Sequence, residues 1–327
     1  VAQLLTFGLG ALAGHGDPLL ALSAAVIVAF LLDLRSTLHQ SLRLMDHQEL
    51  RAALQMLVLS AVILPLLPDA SYGPFDAINP YRLWWAVVLV AGLSLSGHVA
   101  IRLAGAQQGA LWTGLLGGLA SSTAATLALS KKVKAQPSLM DAALAGIWSA
   151  CAVMFVRMTL LVTALSVPLG KRLMAPLLAA GAVLFIAGLL QWRARRPVSD
   201  DGETAALRPF DLGSALGFGA FLGLMSVLTE VAKLSLGAAG LYGLSLVSGV
   251  ADVDVITVSL ARMNANGSLS SSVAAIAISV AVFSNMCAKA GIAWTTGGAQ
   301  LGRKVALGYA LAMAVAGITL LGVLWLQ

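Results

Sequence analysis

Hydrophobic positions along the chain come in long runs, near residues 1–14, 18–34, 51–68, 83–104, 109–130, 139–166, 173–192, 212–236, 238–261, 269–295 and 304–326. Most are close to the roughly 20 residues that an α-helix needs to cross a hydrocarbon layer about 30 Å thick with every backbone amide paired internally. The pattern predicts an all-α polytopic membrane protein with about 10–11 membrane segments. Between the runs lie turn signals. Leu67–Tyr81 (LPDASYGPFDAINPY) is a Pro/Gly/Asp/Asn loop, Val167–Pro176 a tight turn, and Trp192–Asp211 the longest polar connection. Trp84, Trp85, Trp192, Trp294 and Trp325 stand near segment ends, where aromatic belts form.

The pattern also repeats. Gly118–Ser130 (GLASSTAATLALS) aligns with Gly249–Ala261 (GVADVDVITVSLA), placing Ser121 on Asp252, Thr123 on Asp254 and Thr126 on Thr257 at an offset of 131 positions. The same offset puts Arg102 on Lys233 and Gly109 on Gly240; one residue of slippage puts Arg157 on Lys289. The chain therefore reads as N-terminal membrane helices (1–68) followed by two copies of a four-segment unit, within residues 69–196 and 197–327.

Positive charge tests the topology. Arg35–Arg51, Lys131–Lys134 (KKVK) and Arg193–Arg196 (RARR) should all face the cytoplasm. If every segment spans, KKVK falls outside. The conflict disappears if 109–130 enters the membrane and turns back. Each repeat then has three true spans, an odd number, and the second is inverted relative to the first, a common transporter plan with the site near the midplane where helices break. Both motif segments are also long enough to span, so spanning, re-entrant and broken forms all stay open.

Composition agrees with the membrane reading and removes other classes. Hydrophobic residues are 59% of the chain and charged ones 10%, with mean hydropathy +0.91, against about 25% charge in soluble domains. The formal charge of +6 lies in short loops and reads as a topology signal, not as a nucleic-acid surface. Cys151 and Cys287 lack metal or redox spacing and read as small core residues. The first apolar run has no basic segment before it, so it reads as the interior of a helix and not as a signal peptide.

The candidate chemistry lies in the repeated motifs. On a continuous helix, Asp252 and Asp254 would point roughly 200° apart; in an unwound stretch they could converge as cation ligands, and burial of two unpaired carboxylates is costly. The alternative is a surface helix cap. Thr257 would add a neutral oxygen, suited to hard cations such as Mg²⁺ or Na⁺. Ser121, Ser122, Thr123 and Thr126 either complete that shell, cap a half-helix that holds an anion, or serve as helix-packing hydroxyls. Arg157 and Lys289 lie deep in apolar segments, where they either neutralise the aspartates, hold an anionic substrate, or snorkel. Asn285 shares a helix face with Lys289. His98 and Arg102, one turn apart, read as a packing pair. No nucleotide loop, hydrolase elbow or metalloprotease motif is present, which speaks against an enzyme.

Gly114–Lys132 (GLLGGLASSTAATLALSKK), Ala251–Arg262 (ADVDVITVSLAR) and Gly73–Trp85 (GPFDAINPYRLWW) resemble the C-terminal membrane domain of unknown function found in long bacterial proteins of the MgtC/SapB family. The resemblance runs from about Leu50 onward, and Val1–Glu49 resembles the tail of the preceding MgtC-like region. It implies the bacterial cytoplasmic (inner) membrane and a link to magnesium, although MgtC itself is better regarded as a regulator than as a proven transporter. The acidic positions of the MgtC domain are missing, so no residue role carries over from them.

These readings lead first to a transporter or channel for a hard inorganic cation, most plausibly Mg²⁺, bound by Asp252 and Asp254. A second reading is a Na⁺- or H⁺-coupled transporter of a small organic anion held by Arg157 and Lys289. A third is a regulatory membrane protein that transports nothing, whose small-residue face Gly213–Gly223 serves a homodimer. The expected partners are the lipid bilayer and an inorganic cation or small anion, with no cofactor beyond a bound or transported Mg²⁺ or Na⁺.

Overall fold

The computed structural model describes residues 47–104, 110–194 and 212–325, together with helical positions Phe7, Gly10, Ala11, Gly14, Leu22 and Ala25. The segments expected at 1–14 and 18–34 lie largely outside the described residues, as does most of the connection after Trp192. The chain divides into two compact units, Val1–Leu54 and Gln55–Gln327. Both copies of the repeated segment belong to the second unit.

Helix α1 (His47–Leu57) continues through a π-helical turn (Val58–Ile63) to Leu66. Then come α2 (Pro80–Ala104), α3 (Ala110–Ala135), α4 (Met140–Leu165), α5 (Val167–Ala194), α6 (Leu212–Ala251), α7 (Val253–Ala265), α8 (Ser271–Gly297) and α9 (Ala299–Trp325). Among the described residues the only β-pairing is an isolated bridge between Tyr72 and Ile78. Among the described residues, five helical stretches are long and apolar enough to cross a membrane, and they coincide with most of α4, α5, α6, α8 and α9. The protein is an all-α polytopic membrane protein.

Helix α4 is the centre. Its 26 residues extend about 39 Å at 1.5 Å each, and Ile147, Cys151, Phe155, Met158 and Val162 are fully buried, as expected of a helix that is apolar all round. Helix α6 is interrupted at Gly237 (φ 59°, ψ −139°), a conformation that only glycine adopts cheaply. Residues 212–236 are thus the span, and 238–251 begin a new arm.

The repeat is visible in the element boundaries. Helices α4 and α5 start at Met140 and Val167, and α8 and α9 at Ser271 and Ala299, 131 and 132 positions later. The two breaks match as well. Helix α3 carries one extended residue, Ser121 (φ −164°, ψ 109°), and the arm 238–251 is separated from α7 by Asp252 (φ −157°, ψ 124°), 131 positions on.

Close contacts fix the directions of these arms. Gly114 lies against Gly146 and Gly118 against Ala150, so the first arm of α3 runs in the same sense as α4. The second arm runs the other way. Ser122 lies at the level of Met154, the two sharing the Lys289 ammonium at 2.9 Å each, and Thr126, one turn on, reaches the Tyr309 hydroxyl that also meets Cys151. Helix α3 therefore folds back at Ser121. Helix α8 follows the second arm, with Lys289 beside Ser122 and Gly297 on Ser130, and so is antiparallel to its counterpart α4.

The other half repeats these contacts. Gly249 packs on Ala281, and α7 runs with α4, Asp254 beside Arg157 and Asn264 beside Ser166 (2.7 Å). Antiparallel counterparts make the two repeats inverted relative to each other. At one end of the bundle Asp141 meets Gln191 (2.8 Å) and Lys304 (3.3 Å); at the other, Arg82 donates to Asn266 (2.6 Å).

Candidate functional site

Each break is an N-cap built into a membrane segment. The amide of Asp252 still closes the preceding helix on the Ser248 carbonyl (2.9 Å), while its carboxylate accepts the Asp254 amide (2.7 Å) to open α7. Ser121 does the same more weakly, its hydroxyl accepting from the Ala124 amide at 3.3 Å. Asp and Ser suit this role because a short side-chain oxygen satisfies a first-turn amide that has no carbonyl partner.

Between the breaks lies a cavity of about 50 Å³, lined by Ser121, Ser122, Thr123, Met154, Arg157, Ala251, Asp252, Val253, Asp254, Asn285 and Lys289. That is room for a few waters or a small solute. Four ionisable groups line it, two of each sign. The Arg157 guanidinium is paired with the Asp254 carboxylate and also donates to the Leu119 carbonyl at the end of the first α3 arm (3.3 Å). Lys289, 1% exposed, donates to the Ser122 hydroxyl and contacts the Met154 sulfur; among the described residues no carboxylate lies within ion-pair distance of it. Asn285 donates to the Gly249 carbonyl, at the end of the other arm (2.9 Å).

The pairs repeat with the slippage seen in the sequence. Lys289 lies 132 positions after Arg157, and Asp254 lies 132 after Ser122. One junction is thus Arg157 on a carboxylate, and its counterpart is Lys289 on a hydroxyl. Among the described residues, three buried polar atoms of the lining have no hydrogen-bond partner: Asp254 Oδ1, Asn285 Oδ1 and Arg157 Nε.

Eight of the ten expected site residues come together here. Thr126 and Thr257 do not line the cavity; both are buried, Thr126 donating to the Ser122 carbonyl (2.8 Å) and the Thr257 hydroxyl having no partner among the described residues. They lie five residues beyond the two breaks, down the return arms. Asp252 and Asp254 converge because Asp252 is extended, as an unwound stretch requires. Met154 was missed, although it stands three residues before Arg157 on the same helix face. The Leu119 and Gly249 carbonyls leave no sequence signal. Among the described residues no three His, Cys, Asp or Glu side chains form a metal-binding group. The side chains of His98 and Arg102 lie outside the described residues.

Fold and site together define a class: a multi-pass membrane protein with two inverted repeats and a charged cavity where their interrupted segments meet. The family model for a domain of unknown function (DUF4010) matches residues 88–297, which include the whole cavity lining, and the chain belongs to that family. A stretch of 190 residues is 32% identical to an uncharacterized protein of Aquifex aeolicus (strain VF5), covering 58% of this chain and 83% of that one. No solved structure matches.

Proposed function

We propose that the protein is a secondary transporter of the bacterial cytoplasmic membrane, carrying a small organic anion through the cavity between Ser121 and Asp252, with the aspartates taking a coupling Na⁺ or H⁺. The observation that carries this reading is the meeting of two broken segments, from inverted repeats, at one buried cavity with charges of both signs. Inverted halves give two nearly equivalent packings, so rocking one against the other opens the same cavity to either side. The end of the bundle that carries Lys131, Lys132, Lys134, Arg193, Arg303 and Lys304 is the cytoplasmic one by the charge rule.

Charge placement favours the anion over Mg²⁺ as the cargo. A divalent cation at Asp254 has to displace the Arg157 guanidinium while the Lys289 ammonium stands in the same low-dielectric cavity. An anion instead finds Lys289 beside the amides that open the second arm of α3. The magnesium link implied by the resemblance to MgtC/SapB proteins belongs to the competing cation reading.

Flux into proteoliposomes separates them. Under a Na⁺ or proton gradient we expect saturable uptake of small organic acids, abolished in Lys289→Met and uncoupled from the gradient in Asp252→Asn. Saturable Mg²⁺ flux lost in Asp252→Asn, without organic-acid uptake, would establish the cation reading. No flux from folded protein would leave the regulatory one.

A further inference from the structure

We infer that the solute is a small zwitterion, an α-amino acid of the size of glycine or alanine, held by its ammonium at Asp254 and Asn285 and by its carboxylate at Lys289. The inference deepens the transporter reading of the same cavity, the amino acid's carboxylate being the organic anionic group that reading places at Lys289, and rests on it for the solute's passage across the membrane.

Three observations carry it. The first is which atoms of the lining lack partners. Among the described residues, Asp254 Oδ1 and Asn285 Oδ1 are acceptors without donors, on residues that are 2% and 4% exposed. Buried polar atoms are rarely left so, and a donor such as an ammonium satisfies both. On the other side, the Lys289 ammonium has, among the described residues, only a hydroxyl and a thioether as acceptors, and a thioether accepts weakly. A carboxylate supplies what it lacks.

The second is charge balance. Asp252 and Asp254 offset Arg157 and Lys289, so the cavity is neutral as it stands. An anion keeps that balance only with its coupling cation beside it, since uncompensated charge is costly within the membrane; a zwitterion keeps it by itself. The third is size. About 50 Å³ holds a few non-hydrogen atoms, enough for one small molecule bearing both charges.

The test is binding to the full-length chain in detergent, read as the shift in unfolding temperature that a native-state ligand produces. The probes are glycine, L-alanine, sodium acetate and methylammonium chloride. We expect half-saturation by glycine or alanine at concentrations at least about tenfold below those for acetate and methylammonium. Lys289→Met, which is nearly isosteric, and Asn285→Ala, which keeps the Arg157–Asp254 pair, should each raise the glycine value about tenfold or more. Acetate binding as tightly as glycine, or no shift with either amino acid, would overturn the inference. Glycine binding without uptake would remove transport and leave the zwitterion site standing. Uptake of acetate that glycine does not inhibit would do the reverse.

Discussion

Asp254 shows how far a single residue depends on its partner. Its side chain is 3% exposed, and its charge is held by Arg157 at 12%. Removing one member of a buried pair strands the other, at a cost of about 3–5 kcal/mol, whereas removing both charges together is often neutral. We therefore expect Arg157→Leu to lower stability by about that amount in detergent unfolding, and Arg157→Leu with Asp254→Asn to recover most of it. Equal destabilisation in the single and double variants would mean that Arg157 acts through packing alone. The pairing could be anticipated, since an Arg deep in an apolar run needs an acid and the chain offers few. The choice between Arg157 and Lys289 for Asp254 could not, because it depends on a one-residue slippage between repeats that shows its effect only when the arms are placed.

At the scale of elements, the breaks at Ser121 and Asp252 work because the arms before them lie unusually close to their neighbours. A methyl group added at Gly114 would run into the Gly146 backbone, and one at Gly118 would come within 2.6 Å of the Ala150 Cα. Such contact is the usual source of helix association in lipid, where hydrophobic driving force is absent. Gly114→Ala should cost about 1–3 kcal/mol by overpacking, measured by thermal unfolding in detergent. Gly223→Ala, in open space on α6, should cost nothing or add up to about 1 kcal/mol through helix propensity. Gly114–Gly118 (GLLGG) is a small-residue stretch in the sequence, yet such a pattern serves spanning helices equally well. What marked the break was Ser121 aligning with Asp252, a cap residue matched to a cap residue. The kink at Gly237 was legible only as a boundary between two apolar runs.

For the whole molecule, the inverted arrangement predicts where loops face. With Cys151 and Cys287 replaced by alanine, a cysteine at Lys134 should resist an impermeant reagent added outside, and one at Ser268 should react. Labelling of both would refute the folded-back α3, and the opposite pattern would reverse the orientation of the whole bundle in the membrane. The membrane class was plain from hydropathy, and the repeat from an offset of 131 positions. Inversion was suggested by the position of KKVK, because three spans per repeat bring both basic loops to one side. The antiparallel course of α4 and α8 is long-range geometry that no local pattern encodes.

The opposite charges of the cavity are unequally shared between the repeats. The first contributes Arg157 alone, while the second contributes Asp252, Asp254 and Lys289. Taken by itself, each half would hold one uncompensated elementary charge within the bilayer, positive in the first and negative in the second. Each half is the other's counter-ion. Neither half is neutral without the other, and the covalent link between them fixes the one-to-one stoichiometry that electroneutrality demands.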